Sequence, residues 1–487
     1  MQIDIVPVLG LWTQEKGPLY QRLATALRSA IETTVLPAHT RLPAERLLAR
    51  ELGVSRNTVV AAYQELEAGG WVERRHGSGT RVCSLPARHS AQVRENQTSL
   101  LARGMVYDAF LAEQVEQVDL ATGAVAWPAG IPLQPYLPTQ DDLAPLVRDY
   151  GYVPRGYLPL RQALARYFLQ RGVPTTADQI LVTTGAQQAI QLLASCFLQR
   201  GDAVHLETPT FFGLLDAFRS LGLRLEALPI YKDGLDMLRV RQQITSGAAR
   251  WLFLQPTLHN PTGCDITMNQ RQSLLQLAHE HGVTLVEDLT MADLRWTGAR
   301  LAPLASIDPN ASVISLGSLS KSVWGGMRIG WVRAPADMIA RLARFKTVHD
   351  LGSPLLSQVM AVTLLNDLDT FLEQRQRELR ERQQLMETYL RQHLPEWQWH
   401  HPGGGLFLWV QLPCGDARDF AQEALRHDVL ITHGPMLSVN AEYTRHIRLS
   451  YICEPEELLV GLARLEQAWR RYLARLEKQQ NTGSVLL

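Results

Sequence analysis

Five short apolar runs set the strongest limit on how this 487-residue chain can fold. They are QILVTTG (179–185), DAVHLETP (202–209), RWLFLQP (250–256), VTLVEDL (283–289) and SVISLGS (312–318). Each is too short for a buried helix, is rich in Val, Leu and Ile, and ends in a turn that usually leads into an amphipathic stretch. Strands alternating with helical patterns make an α/β domain with a mostly parallel sheet, here from about residue 117 to 476. In such sheets ligands bind outside the carboxyl ends of the strands. Polar residues that close these runs are therefore the first candidates for chemistry.

Composition narrows the class. The chain carries 48 Lys and Arg against 48 Asp and Glu, and 46% of its residues are hydrophobic. A globally basic nucleic-acid coat and an acidic disordered chain are both excluded. Its five cysteines, at 83, 196, 264, 414 and 453, form no C-x-x-C pair. Neither a disulfide framework nor a metal cage is expected, and a reducing cytoplasm fits best. The N-terminus lacks a basic region ahead of its apolar stretch, and no run of ~18 uncharged apolar residues occurs, so no export signal and no membrane span are expected.

Ahead of the α/β part, residues 14–83 read as short helices followed by a strand pair. Leu19, Leu23, Leu27 and Ile31 fall on one helical stripe. A second helix spans about Ala44 to Leu52 and stops at Gly53, which suits a left-handed turn. Ser55 is placed to cap a third helix running to about Ala68, with Val59, Tyr63 and Leu66 on its inward face. Arg56, Asn57 and Thr58 then stand at its exposed start, where a recognition helix meets base edges and phosphates. WVERRHGSGTRV (71–82) alternates as a hairpin turning at His76–Gly79. Residues 16–84 hold ten Lys and Arg against six Asp and Glu, a local excess of positive charge suited to phosphate contacts. The polar stretch 84–116 reads as a linker, and the tail from Glu477 as frayed.

The stretch from LPAERLLAREL to GSGTRV resembles the GntR-type winged helix-turn-helix throughout. The resemblance implies contacts to double-stranded operator DNA from Arg46, Ser55, Arg56, Asn57 and Thr58, with His76 and Gly77 entering from the wing tip.

In the α/β part five features follow in order. TTGAQQAI (183–190) puts Gly185, Ala186 and Gln187 at a strand-to-helix turn, whose free N–H groups suit a phosphate. ETPTFFG carries Phe211, able to lie against a planar ring, and HNPTG carries Asn260, able to donate to a phenolate oxygen. Asp288 closes an apolar strand, where a carboxylate can pair with a pyridinium nitrogen, and Glu287 must face the other way. SLGSLSKSVWGGMRIGW brings Ser318, Ser320 and Arg328 as phosphate ligands around Lys321, the candidate nucleophile. Read singly, these are also a tight turn, a core phenylalanine, another turn and a lysine in a serine-rich loop.

Together and in order they resemble the fold-type I pyridoxal-phosphate enzymes of the aminotransferase class. The resemblance implies pyridoxal 5'-phosphate held on Lys321 and a small C-terminal subdomain reached through PGGGLFLWVQLP (402–413). It also implies that Arg448, in HIRLSYI, grips a carboxylate. A GntR-type winged helix joined through residues 84–116 to an aminotransferase-like domain (117–476) is the architecture of the MocR subfamily of transcriptional regulators. That resemblance implies a homodimer, each DNA-binding domain lying over the other protomer, and a small amino compound as effector. Two departures stand out. Where active aminotransferases carry a Tyr shortly after the ring-nitrogen Asp, this chain reads Asp288-Leu289-Thr290-Met291. The tyrosine expected to reach the partner's phosphate is offered twice, as Tyr150 and Tyr152. Three readings follow: a sensing regulator, a working aminotransferase with an accessory helix-turn-helix, and a repressor whose large domain only dimerises.

Overall fold

The computed structural model describes residues 9, 12, 18–32, 35–37, 39–75, 79–83, 117–308 and 312–484. The wing tip with His76 and Gly77, and the whole 84–116 stretch, lie outside the described residues.

Three helices open the fold: α1 (Leu19–Glu32), α2 (Glu45–Leu52) and α3 (Arg56–Ala68). Leu23, Leu27 and Ile31 bury the face of α1 against Val59, Tyr63 and Leu66 of α3. Leu19, on the same stripe, is 42% exposed, because the stripe begins one turn before the core does. Gly53 takes the left-handed conformation at φ 67° that ends α2. Ser55 caps α3 by accepting from Thr58 N at 3.1 Å. Strands β1 (Val72–Arg75) and β2 (Gly79–Val82) pair antiparallel, with Val72 opposite Val82. A third segment joins them: Leu42 N donates to Thr80 O and Val82 N to Thr40 O, both at 2.9 Å. The wing is thus pinned to the entry of α2, a pairing the sequence pattern does not announce.

The short β3 (Val118–Asp119) begins the large part. An eight-stranded sheet follows from β4 (Ile180–Thr183), β5 (Ala203–Thr208), β6 (Arg224–Tyr231), β7 (Gly234–Leu235), β8 (Trp251–Leu254), β9 (Thr284–Asp288), β10 (Val313–Ser318) and β11 (Gly330–Arg333). Its order is β4-β11-β10-β9-β8-β5-β6-β7, with β11 and β7 antiparallel to their neighbours and the rest parallel. All five apolar runs are among the parallel strands. Separate apolar clusters cover the two faces: Leu252, Leu254 and Leu285 belong to one, Leu206, Phe253 and Val286 to the other. The order reverses between β5 and β8, because the chain runs outward through β6 and β7 before returning. A crevice opens at such a reversal, at the carboxyl ends of the strands.

The small subdomain is an antiparallel sheet of β12 (Gln398–Trp399), β13 (Phe407–Gln411), β15 (Thr432–His433) and β16 (His446–Ser450), with β14 (Val429–Leu430) paired instead to β3. The helix Ala417–Arg426 and the final helix Pro455–Ser484 close over it. The final helix runs on past Glu477, where the sequence predicts fraying. Once nucleated and anchored by buried Trp469 and Tyr472, it extends by one hydrogen bond per residue. The winged helix sits on the helix Ala417–Arg426 of the same chain: Trp71 Nε1 donates to Asp419 Oδ1 at 2.9 Å, and Arg426 donates to Gly70 O. No helix among the described residues is long and apolar enough to cross a membrane.

Candidate cofactor and effector site

The residues singled out in the large part lie at the carboxyl ends of the strands. β9 ends at Asp288, β10 at Ser318, and the turn after β8 carries Asn260. The helix Ala186–Phe197 starts directly after β4, with Gly185 as its cap at φ 137°, a conformation only glycine takes without strain. A β-carbon on Gly185 would lie 3.6 Å from Arg328 Nη2, and one on Gly330 would meet Gly185 Cα at 2.6 Å. The Gly185 turn and Arg328 thus form a cradle kept open by missing side chains. Arg328 is itself held left-handed, at φ 50°. Ser318 Oγ lies 2.9 Å from Ser320 Oγ and donates to Ile329 O at 3.0 Å, so the serines also pin their own loop. Gln187 turns aside: its amide donates to Gly213 O at 2.9 Å. Phe211 is half-buried beside Phe212, ring centroids 5.0 Å apart.

Lys321 Nζ donates to Gly123 O at 2.8 Å. Part of the residue faces the open cleft, but its amine is enclosed. Burial first, then the nearby Arg448, pull its pKa down to about 8; Asp288 opposes them and Arg328 adds to them. Asp288 accepts from Thr290 N at 2.8 Å, and burial raises its carboxyl above the usual range, with the Thr290 hydrogen bonds and Lys321 opposing. The Thr290 hydroxyl, at the position where a tyrosine is missing, is thus engaged with Asp288. Glu287 does face the other side: it is fully buried, accepting from Leu304 N and Ser315 Oγ, both at 2.7 Å.

Arg448, on β16, is buried with its guanidinium 4.0 Å over the Phe407 ring. It donates to Asn260 Oδ1 at 2.8 Å, to Ala121 O and to Thr432 Oγ1 at 3.3 Å. Its Nε has no partner, and it forms no ion pair with any carboxylate among the described residues. Burial draws its pKa down to about 9. Asp119 nearby opposes that shift without forming an ion pair, so the guanidinium can still take an entering carboxylate. Because Asn260 gives its oxygen to Arg448, its NH2 is left to donate elsewhere.

The loop Ala121–Gly123, which supplies carbonyls to both Arg448 and Lys321, escaped the sequence reading. Its signal was Asp119, whose side chain accepts from Ala121 N at 2.8 Å and Thr122 N at 2.9 Å and so folds the turn. Tyr150 and Tyr152 are 92% and 69% exposed and touch none of this.

In the winged helix, Arg46 on α2 and Ser55, Arg56 and Asn57 at the start of α3 are exposed, with Thr58 half-buried. Arg56 Nη2 lies 3.1 Å from Glu45 Oε2, an exposed pair of small energetic worth that leaves the guanidinium free to exchange partners.

Residues 117–465 match the family described as aminotransferase class I and II, and residues 19–82 match the bacterial regulatory proteins of the gntR family. The chain is 31% identical to the uncharacterized HTH-type transcriptional regulator YdfD of Bacillus subtilis, across 93% of this chain and 96% of that one. It is 31% identical to the probable rhizopine catabolism regulatory protein MocR of Rhizobium meliloti, across 78% of each. Among solved structures, LysN, the alpha-aminoadipate aminotransferase of Thermus thermophilus complexed with N-(5'-phosphopyridoxyl)-L-leucine, superposes with a TM-score of 0.67 at 31% identity, covering 74% of this chain and 93% of that one. The chain therefore belongs to the MocR-type transcriptional regulators, in which a GntR helix-turn-helix domain is fused to a class I and II aminotransferase domain.

Proposed function

We propose that this regulator holds pyridoxal 5'-phosphate in its aminotransferase-like domain and uses it to sense a small amino compound bearing a carboxylate. The carrying observation is the enclosed Lys321 amine, its pKa near 8, beside Asp288 and within reach of the counter-ion-free Arg448. The residues fit the group. The Gly185 turn with Ala186 and Gln187, Ser318, Ser320 and Arg328 would take the phosphate, Phe211 the ring face, Asn260 the phenolic oxygen and Asp288 the ring nitrogen. Bound there, the cofactor supplies an aldehyde that condenses with primary amines. With its amine partly deprotonated Lys321 would hold the cofactor covalently, and a competing primary amine that takes its place would return the free Lys321 amine. Arg448 orients that amine by its carboxylate. The ligand shifts regulation only by as much as it prefers one state of the protein over the other.

The winged helix would bind double-stranded DNA through Arg46, Ser55, Arg56, Asn57, Thr58 and the wing residues His76 and Gly77. Domain limits of 14–83, 84–116 and 117–476 go with this reading, as does a cytoplasmic site of action beside the DNA. A homodimer is supported by exposed Val147, Tyr150, Tyr152 and Val348, which a partner would cover. Arg56→Ala is expected to weaken specific operator binding by ~1–3 kcal/mol if Arg56 reads a base. An unchanged affinity and salt slope in a filter-binding series would remove Arg56 from the interface.

The deciding experiment is the visible spectrum of the pyridoxal-phosphate-loaded protein under titration with amino acids and amines. A spectral change that persists without pyridoxamine product is expected of a sensor. A second reading, sustained transamination, is favoured by the complete set of Lys321, Asp288, Arg328 and Arg448. Conversion to the pyridoxamine form with turnover of a 2-oxo acid would establish it. Thr290 in place of a phenol donor argues for the sensor.

A further inference from the structure

Behind Asp288 lies a second buried carboxylate that the reading above does not use. Glu207, near the end of β5, is 1% exposed. Its Oε2 accepts from Gln255 N at 2.7 Å and lies 3.3 Å from Nε2 of His259, which is fully enclosed. Its Oε1 is buried with no hydrogen-bond partner. Glu207 and Asp288 line one cavity together with Phe211, Thr210 and Gln255. The neighbourhood is continuous with the effector site, because Gln255 Oε1 accepts from Asn260 N at 2.9 Å and Asn260 accepts from Arg448. His259 Nδ1 is 2.8 Å from Thr262 Oγ1, and its Nε2, though 3.3 Å from Glu207, makes no hydrogen bond.

A buried carboxylate with a bare oxygen is costly unless something positive completes it. Among the described residues Glu207 forms no ion pair with a lysine or arginine: Lys321, Arg328 and Arg448 gather around Asp288, and the buried Arg271 guanidinium is taken up by Ile266 O, Ala302 O, Pro256 O and Thr257 Oγ1. Resting on the cofactor reading above, we infer that Glu207 is a positioning residue for the cofactor ring. It places a second carboxylate behind Asp288, so that the proton on the ring nitrogen is stabilised by two carboxylates instead of one. The weak upward push of Glu207 on the Asp288 carboxyl is the same interaction in the absence of the ring.

The test is a pH titration of the bound chromophore, followed by absorbance, in the full-length loaded protein. Glu207→Gln keeps the acceptor for Gln255 N and removes the charge. It is expected to lower the chromophore's midpoint by about one pH unit, because a nearby anion favours the protonated form. His259→Gln leaves the Glu207 carboxylate in place and must not lower the midpoint. An unchanged midpoint in Glu207→Gln overturns the inference, since Glu207 then carries no charge that the ring feels. A lowered midpoint in His259→Gln also overturns it, since the shift then comes from disturbed packing. If Glu207→Gln does not fold, Glu207→Asp decides: the shorter side chain draws the carboxylate back from the ring, so a lowered midpoint supports the inference and an unchanged one overturns it. A wild-type protein that takes up no chromophore sinks the cofactor reading itself, a distinct outcome.

Discussion

Lys321→Ala is expected to leave a protein that retains no cofactor after borohydride reduction and denaturation, whereas the wild-type chain retains one equivalent covalently, readable by mass spectrometry. Among the described residues Lys321 supplies the enclosed amine of the site, and Arg328 and Arg448 cannot replace it because a guanidinium is not a nucleophile at these pH values. Burial and Arg448 bring the Lys321 amine to a pKa of about 8. At pH 7 about a tenth of it is then deprotonated, against well under a thousandth for an ordinary lysine. Uptake of pyridoxal phosphate by the apo protein should accordingly accelerate through a midpoint near pH 8 and level off above it. The linkage sign agrees. Between the folded value and the ordinary one the unfolded chain holds a proton that the folded chain has lost, so this group's contribution to stability rises with pH across that window. The phosphate cradle and Arg448 should survive the substitution, so Lys321→Ala should still bind the cofactor reversibly. Covalent retention by Lys321→Ala would place the nucleophile elsewhere.

Much of this was legible because the relevant constraints are local. Short apolar runs buried on both faces read as strands of a mostly parallel sheet, and their carboxyl ends locate Asp288 and Ser318; the first run departs from this, since β4 lies at the sheet's edge and pairs only with the antiparallel β11. Ser55 and Gly53 were legible for the same reason, since a cap and a left-handed stop are one-residue decisions. What escaped depends on distant chain. Nothing near Ala121 says that its carbonyl will face Arg448, 327 positions later. The pairing of segment 39–42 with β2 joins a loop to a wing across two helices. Leu19 had the right period but the wrong height, since a stripe gives the buried face of a helix and not where the core begins. Glu207 read as an ordinary strand residue because its partner His259 arrives from a turn after another strand.

Trp71→Ala is expected to cost the winged helix about 3–5 kcal/mol, the usual range for truncating a buried aromatic. Trp71 is 2% exposed and belongs to the same apolar cluster as Leu48, Tyr63 and Leu66. A domain of this size has a total stability of about that magnitude. The expected observation is therefore a new low-temperature transition in calorimetry and loss of operator binding, with the aminotransferase-like domain still melting as before. The indole also reaches out of its own domain: its N–H meets Asp419, whose carboxyl burial raises and Arg28 opposes. Arg28, only 5% exposed, stands 3.5 Å from Asp419, 3.7 Å from Asp416 and 3.6 Å from Glu65. Trp71→Phe keeps the bulk and gives up the N–H, so it should cost only about 0.5–1.5 kcal/mol and keep the domain folded. That variant separates packing from communication. If the contact with the helix Ala417–Arg426 carries the effector signal from β16 to the DNA-binding domain, Trp71→Phe should bind operator normally while responding less to an amino compound at Arg448. A full response in Trp71→Phe would leave Trp71 a core residue only, and the signal would have to reach the winged helix by another route.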